Sequence, residues 1–150
     1  MKVKIKNRKA SFNYEFLETE IAGIVLSGTE IKSVSLGQAA FTDSYCFFKD
    51  GELWIKNLHI SEYKNASFTN HEPKRDRKLL LTKYQLRRFE EKLNEKGLTI
   101  VPTLLFTNDK GLIKIEIALA KGKKIKDKKQ TILERDIKRD MDREIKNYKR

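Results

Sequence analysis

The chain has 150 residues, 33 Lys/Arg against 21 Asp/Glu and a formal net charge of +12. That length suits one domain burying roughly 70% of its unfolded surface, enough for a core without staples, and a single cysteine, Cys46, excludes an intrachain disulfide. No apolar stretch reaches the ~18 residues of a membrane span and the N-terminus Met1-Lys-Val-Lys-Ile-Lys6 lacks the apolar run of a signal peptide, so a soluble cytoplasmic protein is expected, with a polyanionic partner in place of a small metabolite.

In chain order, Phe12, Tyr14 and Phe16 alternate with the period of a half-buried strand. Residues 21–26 continue or partner it, and Gly23 marks a bulge or a close backbone approach. Ser27-Gly-Thr-Glu30 is a capping box predicting a short helix, with Ile31 and Val34 on one side and Gly37 as its stop. Strands over 41–48 and 53–60 flank Asp50-Gly51, a tight-hairpin pair. Cys46 lies in the first of them, inside an apolar run, and is expected to be a buried structural thiol. Residues 61–77 are polar and aperiodic, the longest predicted loop, ending in the cations Lys74, Arg75, Arg77 and Lys78.

Thr82 and Gln85 form a second capping box, with Leu86, Phe89 and Leu93 at helical spacing before Gly97. Leu98, Ile100, Leu104 and Phe106 alternate as a strand that Pro102 assigns to an edge or bulge. Residues 107–111 turn the chain. Ile113, Ile115, Ile117 and Leu119 give the cleanest alternation, with Lys114 and Glu116 facing out. A mainly β fold follows: six or so strands and short helices closed into a small OB-like barrel, because an open sheet would leave sticky edges.

The predicted barrel spans 1–120 and the remainder, 121–150, is a basic tail. The tail carries 13 Lys/Arg against 6 Asp/Glu, a net +7, which leaves +5 for the barrel. Its first nine residues hold six lysines and one aspartate, a repulsive run that no compact structure accommodates without a counter-charge. Thr131-Ile-Leu-Glu134 then caps a helical pattern whose apolar stripe holds Leu133, Ile137, Met141, Ile145 and Tyr148, while Arg135, Arg139, Arg143 and Lys146 share another face. A helix of this length is marginal in water. The tail is therefore expected to be disordered when free and to order on RNA, and its amphipathicity leaves a membrane-surface role as a further alternative.

Enzyme chemistry finds little support. His59 and His71 have no ligand-spaced companions, no phosphate-binding loop or nucleophile motif is present, and turn or surface roles explain Asp43, Asp50 and Glu52. No cofactor and no metal ligands are predicted. RNA binding is better supported: Phe12, Tyr14, Trp54, Tyr63 and Phe68 are candidate stacking residues, Tyr14 foremost and Phe12 and Trp54 equally candidates for the core, with Arg75, Arg77 and Lys78 as a cationic rim. Glu30 is either a helix cap or an RNA contact. A basic OB-fold ribosome-assembly protein and a small metal-dependent nuclease remain as alternatives.

Asn7-Arg-Lys-Ala10, Ala22-Gly23, Gly28-Thr-Glu-Ile-Lys-Ser33, Gly51-Glu-Leu-Trp54, Arg75-Asp-Arg-Lys-Leu-Leu-Leu81, Gly97-Leu-Thr-Ile-Val-Pro102 and Lys121-Gly-Lys-Lys-Ile-Lys-Asp-Lys-Lys129 occur in this order. The ordered set resembles the SsrA-binding protein (small protein B) family over nearly the whole chain. The resemblance implies an OB-fold barrel that binds the tRNA-like domain of transfer-messenger RNA and brings it to stalled 70S ribosomes for trans-translation. It implies no catalysis, and a tail that turns helical in the empty mRNA channel near the decoding centre. Asn7, Arg8, Lys9, Tyr14, Gly23, Glu30, Lys32, Arg75, Arg77, Lys78 and Leu80 would lie on or support the RNA face. Gly122, Lys123, Lys124, Asp127, Lys128 and Lys129 would sit in the decoding region, with Arg135, Arg139 and Arg143 on the tail helix. A monomer is expected. Phe12, Ile21, Lys126 and Lys129 stand where the family more often has histidine, glutamate, an aromatic or histidine, and arginine.

Overall fold

Period-two alternation and glycine-marked turns fold this chain into a ring of antiparallel strands. A computed structural model describes residues 2–66, 69–95 and 97–123, with Ile132, Leu133, Arg135 and Arg139. In chain order the elements are β1 (Lys4–Lys6), α1 (Arg8–Asn13), β2 (Tyr14–Ile24), α2 (Gly28–Ser35), β3 (Ala39–Lys49), β4 (Glu52–Ile60), β5 (Arg77–Leu80), α3 (Lys83–Leu93), β6 (Leu98–Thr107) and β7 (Ile113–Gly122). The sheet order is β1-β6-β3-β4-β5-β2-β7, and β7 pairs back onto β6. Six strands thus close a barrel, and β1 covers the end of the β6 edge that β3 leaves free, pairing Lys4 with Phe106 where β3 pairs Cys46 with Ile100.

The barrel fills with one residue from every second position: Leu53, Ile55, Leu79, Ile100, Leu105, Ile115 and Ile117 are fully buried. On β4 the inward phase changes from Leu53 and Ile55 to Leu58 and Ile60. The cause is Asn57, whose φ of 64° inserts a bulge opposite Asp43 at φ 51°; asparagine and aspartate tolerate this left-handed backbone. The hydroxyls of Thr42 and Ser44 both donate to the Asn57 carbonyl at 2.8 Å and hold the bulge. Phe89 of α3 and Val34 of α2 add to the same core. Cys46 is buried there and burial pushes its thiol well above the ordinary range, as a structural thiol requires.

Two of the three predicted capping boxes form, Ser27 with Glu30 and Thr82 with Gln85, the third, at Thr131 and Glu134, lying outside the described residues; Pro102 sits at a bulge in β6. Asp50 and Gly51 have the positive φ angles of a tight hairpin. Other expectations change or sharpen. Phe12 is not in a strand but in α1, because Asn7 caps a turn of helix by accepting the Ala10 N–H at 3.1 Å and anchors it by donating to the Pro102 carbonyl at 2.8 Å. Of the two readings of residues 21–26, continuation holds: β2 runs over 14–24, with a register irregularity between Phe16 and Glu18. The predicted loop ends at Asp76, since Arg77 opens β5 by pairing with Ile55. β7 also runs two residues past the expected barrel boundary, pairing Lys121 with Glu15 and Gly122 with Tyr14.

Candidate nucleic-acid interface

The strongest electrostatic feature is buried. Glu30 stands at the third position of α2, where its carboxylate closes the capping box by accepting the Ser27 N–H at 2.9 Å. The same carboxylate takes Arg75 at 2.5 Å on one oxygen and the Arg77 guanidinium on the other. Arg77 is fully buried and spends its other nitrogens on backbone carbonyls, including Leu58 at 2.6 Å and Pro73 at 3.1 Å. Burial pushes the Glu30 carboxyl up, but hydrogen bonds from Arg75, Ser27 and Arg77 outweigh it and hold its pKa down at about 2. One carboxylate therefore ties α2, β4, β5 and the 61–76 loop together. His71 reinforces the same corner: one ring nitrogen lies 2.9 Å from the Thr29 hydroxyl and the other 2.8 Å from the Ile60 carbonyl.

This cluster positions a shallow apolar hollow beside it. Gly23 pairs with Leu80, and a Cβ at Gly23 would stand 3.1 Å from the Leu80 Cβ, the close approach its place in a strand suggested. Leu80, Ile31 and Leu112 are exposed around it at 52%, 45% and 53%. Together with Gly23 and Lys114 they line an opening of about 400 Å³. Lys32 is exposed on α2, Lys78 is half-buried 3.7 Å from Glu52, and Arg75 donates to the Val25 carbonyl at 3.3 Å. An apolar floor rimmed by cations suits an RNA surface, where a ribose or base edge seats and phosphates find partners.

A second group gathers at the other end of β2, up to roughly 33 Å away along an extended strand. There α1 presents Arg8 and Lys9 outward, and a groove of about 240 Å³ is lined by Asn7, Lys9, Tyr14, Asp43, Tyr45 and Val101. Lys9 bridges to Asp43 at 2.6 Å and holds that exposed carboxyl below its usual range. Tyr14 packs over Ala10, Val101 and Ala120. The chain leaves the barrel at this end: Lys123 donates its N–H to the Asn13 carbonyl at 2.9 Å and its ammonium to Ser11 at 3.1 Å. Of the tail, Ile132, Leu133, Arg135 and Arg139 are helical, and the Arg135 guanidinium lies 5.9 Å from the Phe12 ring centroid. At these positions the protein alone is already helical.

The eleven expected barrel residues thus divide. Gly23 and Leu80 meet at the hollow, with the Glu30, Arg75 and Arg77 cluster beside it; Lys78 stands two residues before Leu80 on β5, and Lys32 lines a separate shallow opening with Thr29 and Tyr63; Asn7, Arg8, Lys9 and Tyr14 gather at the root of the tail. Burial corrects one reading and decides between the two left open for Glu30: Arg77 is no part of a cationic rim, and Glu30, fully buried, is the helix cap and a partner of both arginines. Asn7 is a buried scaffold residue. Lys124, Asp127, Lys128, Lys129, Arg143 and Phe68 lie outside the described residues. Reading for motifs missed His71 and the α1 cap; an asparagine three residues before a buried alanine was the available signal for the cap.

The family model described as SmpB protein matches residues 4–147. The chain belongs to the SmpB family. It is 56% identical over 144 residues to the SsrA-binding protein of Phocaeicola vulgatus, covering 96% of each chain. It is 46% identical to that of Chlorobaculum tepidum, covering 96% of this chain and 92% of the relative. A solved structure described as "tmRNA-SmpB: a journey to the center of the bacterial ribosome" matches with a TM-score of 0.69 at 48% identity, covering 81% of this chain and 85% of that one. SmpB proteins are RNA-binding proteins and not enzymes, so the nuclease alternative falls with membership of the family. Among the described residues no helix is long and apolar enough to cross a membrane.

Proposed function

We propose that this chain is the SsrA-binding protein of trans-translation: it binds the tRNA-like domain of transfer-messenger RNA and carries that RNA to stalled 70S ribosomes. The observation that carries this reading is a match to SsrA-binding proteins along essentially the whole chain, joined to a barrel that brings Gly23 and Leu80 into one cation-rimmed hollow. The barrel works by shape and charge, and the cytoplasm is its compartment, where ribosomes translate.

Division of labour follows from where the chain leaves the barrel. The Gly23 hollow grips the tRNA-like body, and the tail starts at the opposite end of β2, beside Tyr14. Gly122 and Lys123 fix the direction of departure, Lys124, Asp127, Lys128 and Lys129 reach the decoding region, and Arg135, Arg139 and Arg143 meet phosphate in the mRNA channel. An extended segment of 27 residues spans up to about 90 Å, enough for one molecule to hold RNA at one end and probe a distant channel at the other.

A chain ended after Lys123 keeps every strand and tests this division. It should bind the tRNA-like domain nearly as tightly as the full chain and fail to release stalled ribosomes. Equal loss of both activities would refute the division.

A further inference from the structure

We propose that the outer faces of β1, β6 and β7 form a second RNA-backbone contact, continuous with the Gly23–Leu80 hollow, in which Lys4, Lys6 and Lys114 hold phosphates of the SsrA RNA. This deepens the functional reading above and rests on it. Strand register carries the argument. Lys4 pairs with Phe106, Phe106 with Lys114, Lys114 with Gly23 and Gly23 with Leu80, so these five residues form one transverse row over five strands. Directly opposed residues share a face of a sheet. The neighbouring row, Ile5, Leu105, Ile115 and Ala22, packs in the core, and three of its four residues are fully buried; the Lys4 row therefore faces out. One step further on the same face stands Lys6, opposite Leu104.

The charges on this face are available. Among the described residues, Lys4, Lys6 and Lys114 have no ion-pair partner. Of the acids nearby, Asp109 pairs with Lys2 at 2.6 Å, while Glu116, in the row of Lys6, accepts from the Thr103 hydroxyl at 2.6 Å and keeps its charge, so the face carries three cations against one anion. Two hollows lie along the row, one of about 260 Å³ lined by Lys4, Leu104 and Phe106, the other the 400 Å³ opening that Lys114 shares with Gly23 and Leu80. Lys4 and Lys6 lie about 7 Å apart along the strand, and Lys4 and Lys114 about 10 Å apart across two strand spacings. Phe106, between Lys4 and Lys114 in the row, is half-buried, and lysine stems can cover such an apolar surface while their charged heads reach solvent. A regularly charged polymer fits that ladder, and its continuity with the hollow selects the RNA already seated there. Lys-x-Lys-x-Lys at positions 2–6 was the sequence signal.

The test is the salt dependence of binding between the full chain and the isolated tRNA-like domain, without ribosomes. Lys4→Ala, Lys6→Ala and Lys114→Ala combined should make the slope of log affinity against log salt shallower by roughly 2 to 3, since each lost phosphate contact removes about 0.9. Lys49→Ala, Lys83→Ala and Arg87→Ala combined, an equal loss of charge elsewhere, should leave it unchanged. Equal slopes for wild type and the first variant would overturn the proposal while the function stands, leaving Lys4 and Lys6 as guards of the exposed β1 edge and Lys114 as a surface charge. Loss of ribosome engagement or of an acidic-protein contact with the RNA slope intact would overturn it likewise. Wild type that does not bind the tRNA-like domain would overturn both.

Discussion

Two sets of cations occupy opposite roles in this barrel. Arg75 and Arg77 converge on Glu30 in the wall beside α2, whereas Lys4 and Lys6 stand exposed and Lys114 half-buried on the outer sheet, none of them in an ion pair among the described residues. The arginines carry planar, multi-donor heads that saturate a buried carboxylate and several carbonyls; the lysines carry mobile point charges. A basic sequence alone does not tell them apart. What separates them is a partner: Glu30 is a single carboxylate placed by a helix cap, and it converts one neighbouring cation from a ligand for RNA into part of the fold.

The largest effect should come from removing that partner. Glu30→Ala leaves Arg77 buried and uncompensated and should cost about 3–5 kcal/mol, read by denaturant unfolding, whereas Lys114→Ala should leave the unfolding midpoint in place. Equal midpoints for the two variants would erase the contrast.

Acid sharpens the same contrast by a somewhat smaller amount. Glu30 has a pKa of about 2 when folded against 4.5 ordinarily, so the folded state favours the ionised carboxyl. Its contribution is intact above pH 4.5 and is lost as pH falls toward 2, roughly 3 kcal/mol in all. Wild type should lose stability steeply over that interval, and Glu30→Gln should show a flatter profile there. Parallel profiles would count against the cluster.

Asn7 sits between the two classes, a family-motif residue buried as scaffold. Asn7→Ala removes the α1 cap and the bond to Pro102 and should cost about 1–2 kcal/mol, with RNA affinity following only the unfolded fraction. A large affinity loss at full stability would make Asn7 a direct contact.

Much of this was legible in the sequence, for local reasons. Capping boxes at Ser27 and Thr82, Asp50-Gly51, Pro102 at its bulge and the alternation from Ile113 all express short-range chemistry, and Gly23 betrayed a close approach before its neighbour Leu80 was known. The failures have a common cause in long-range partners. Phe12 alternates correctly with Tyr14, yet Asn7 reaches Pro102 across the chain and makes helix instead. Arg77 reads as surface until Glu30, 47 residues earlier, is placed against it. The Asn57 bulge likewise needs Asp43 on the opposite strand. The site was read as a single face, and only strand register divides it between the two ends of β2.

The most direct measurement compares the affinity of the full chain for the tRNA-like domain of SsrA RNA with its affinity for an elongator tRNA at one fixed salt concentration. The account predicts clearly tighter binding to the tRNA-like domain, because the hollow at Gly23 and Leu80 reads shape as well as charge. Equal affinities, falling together as salt rises, would contradict it.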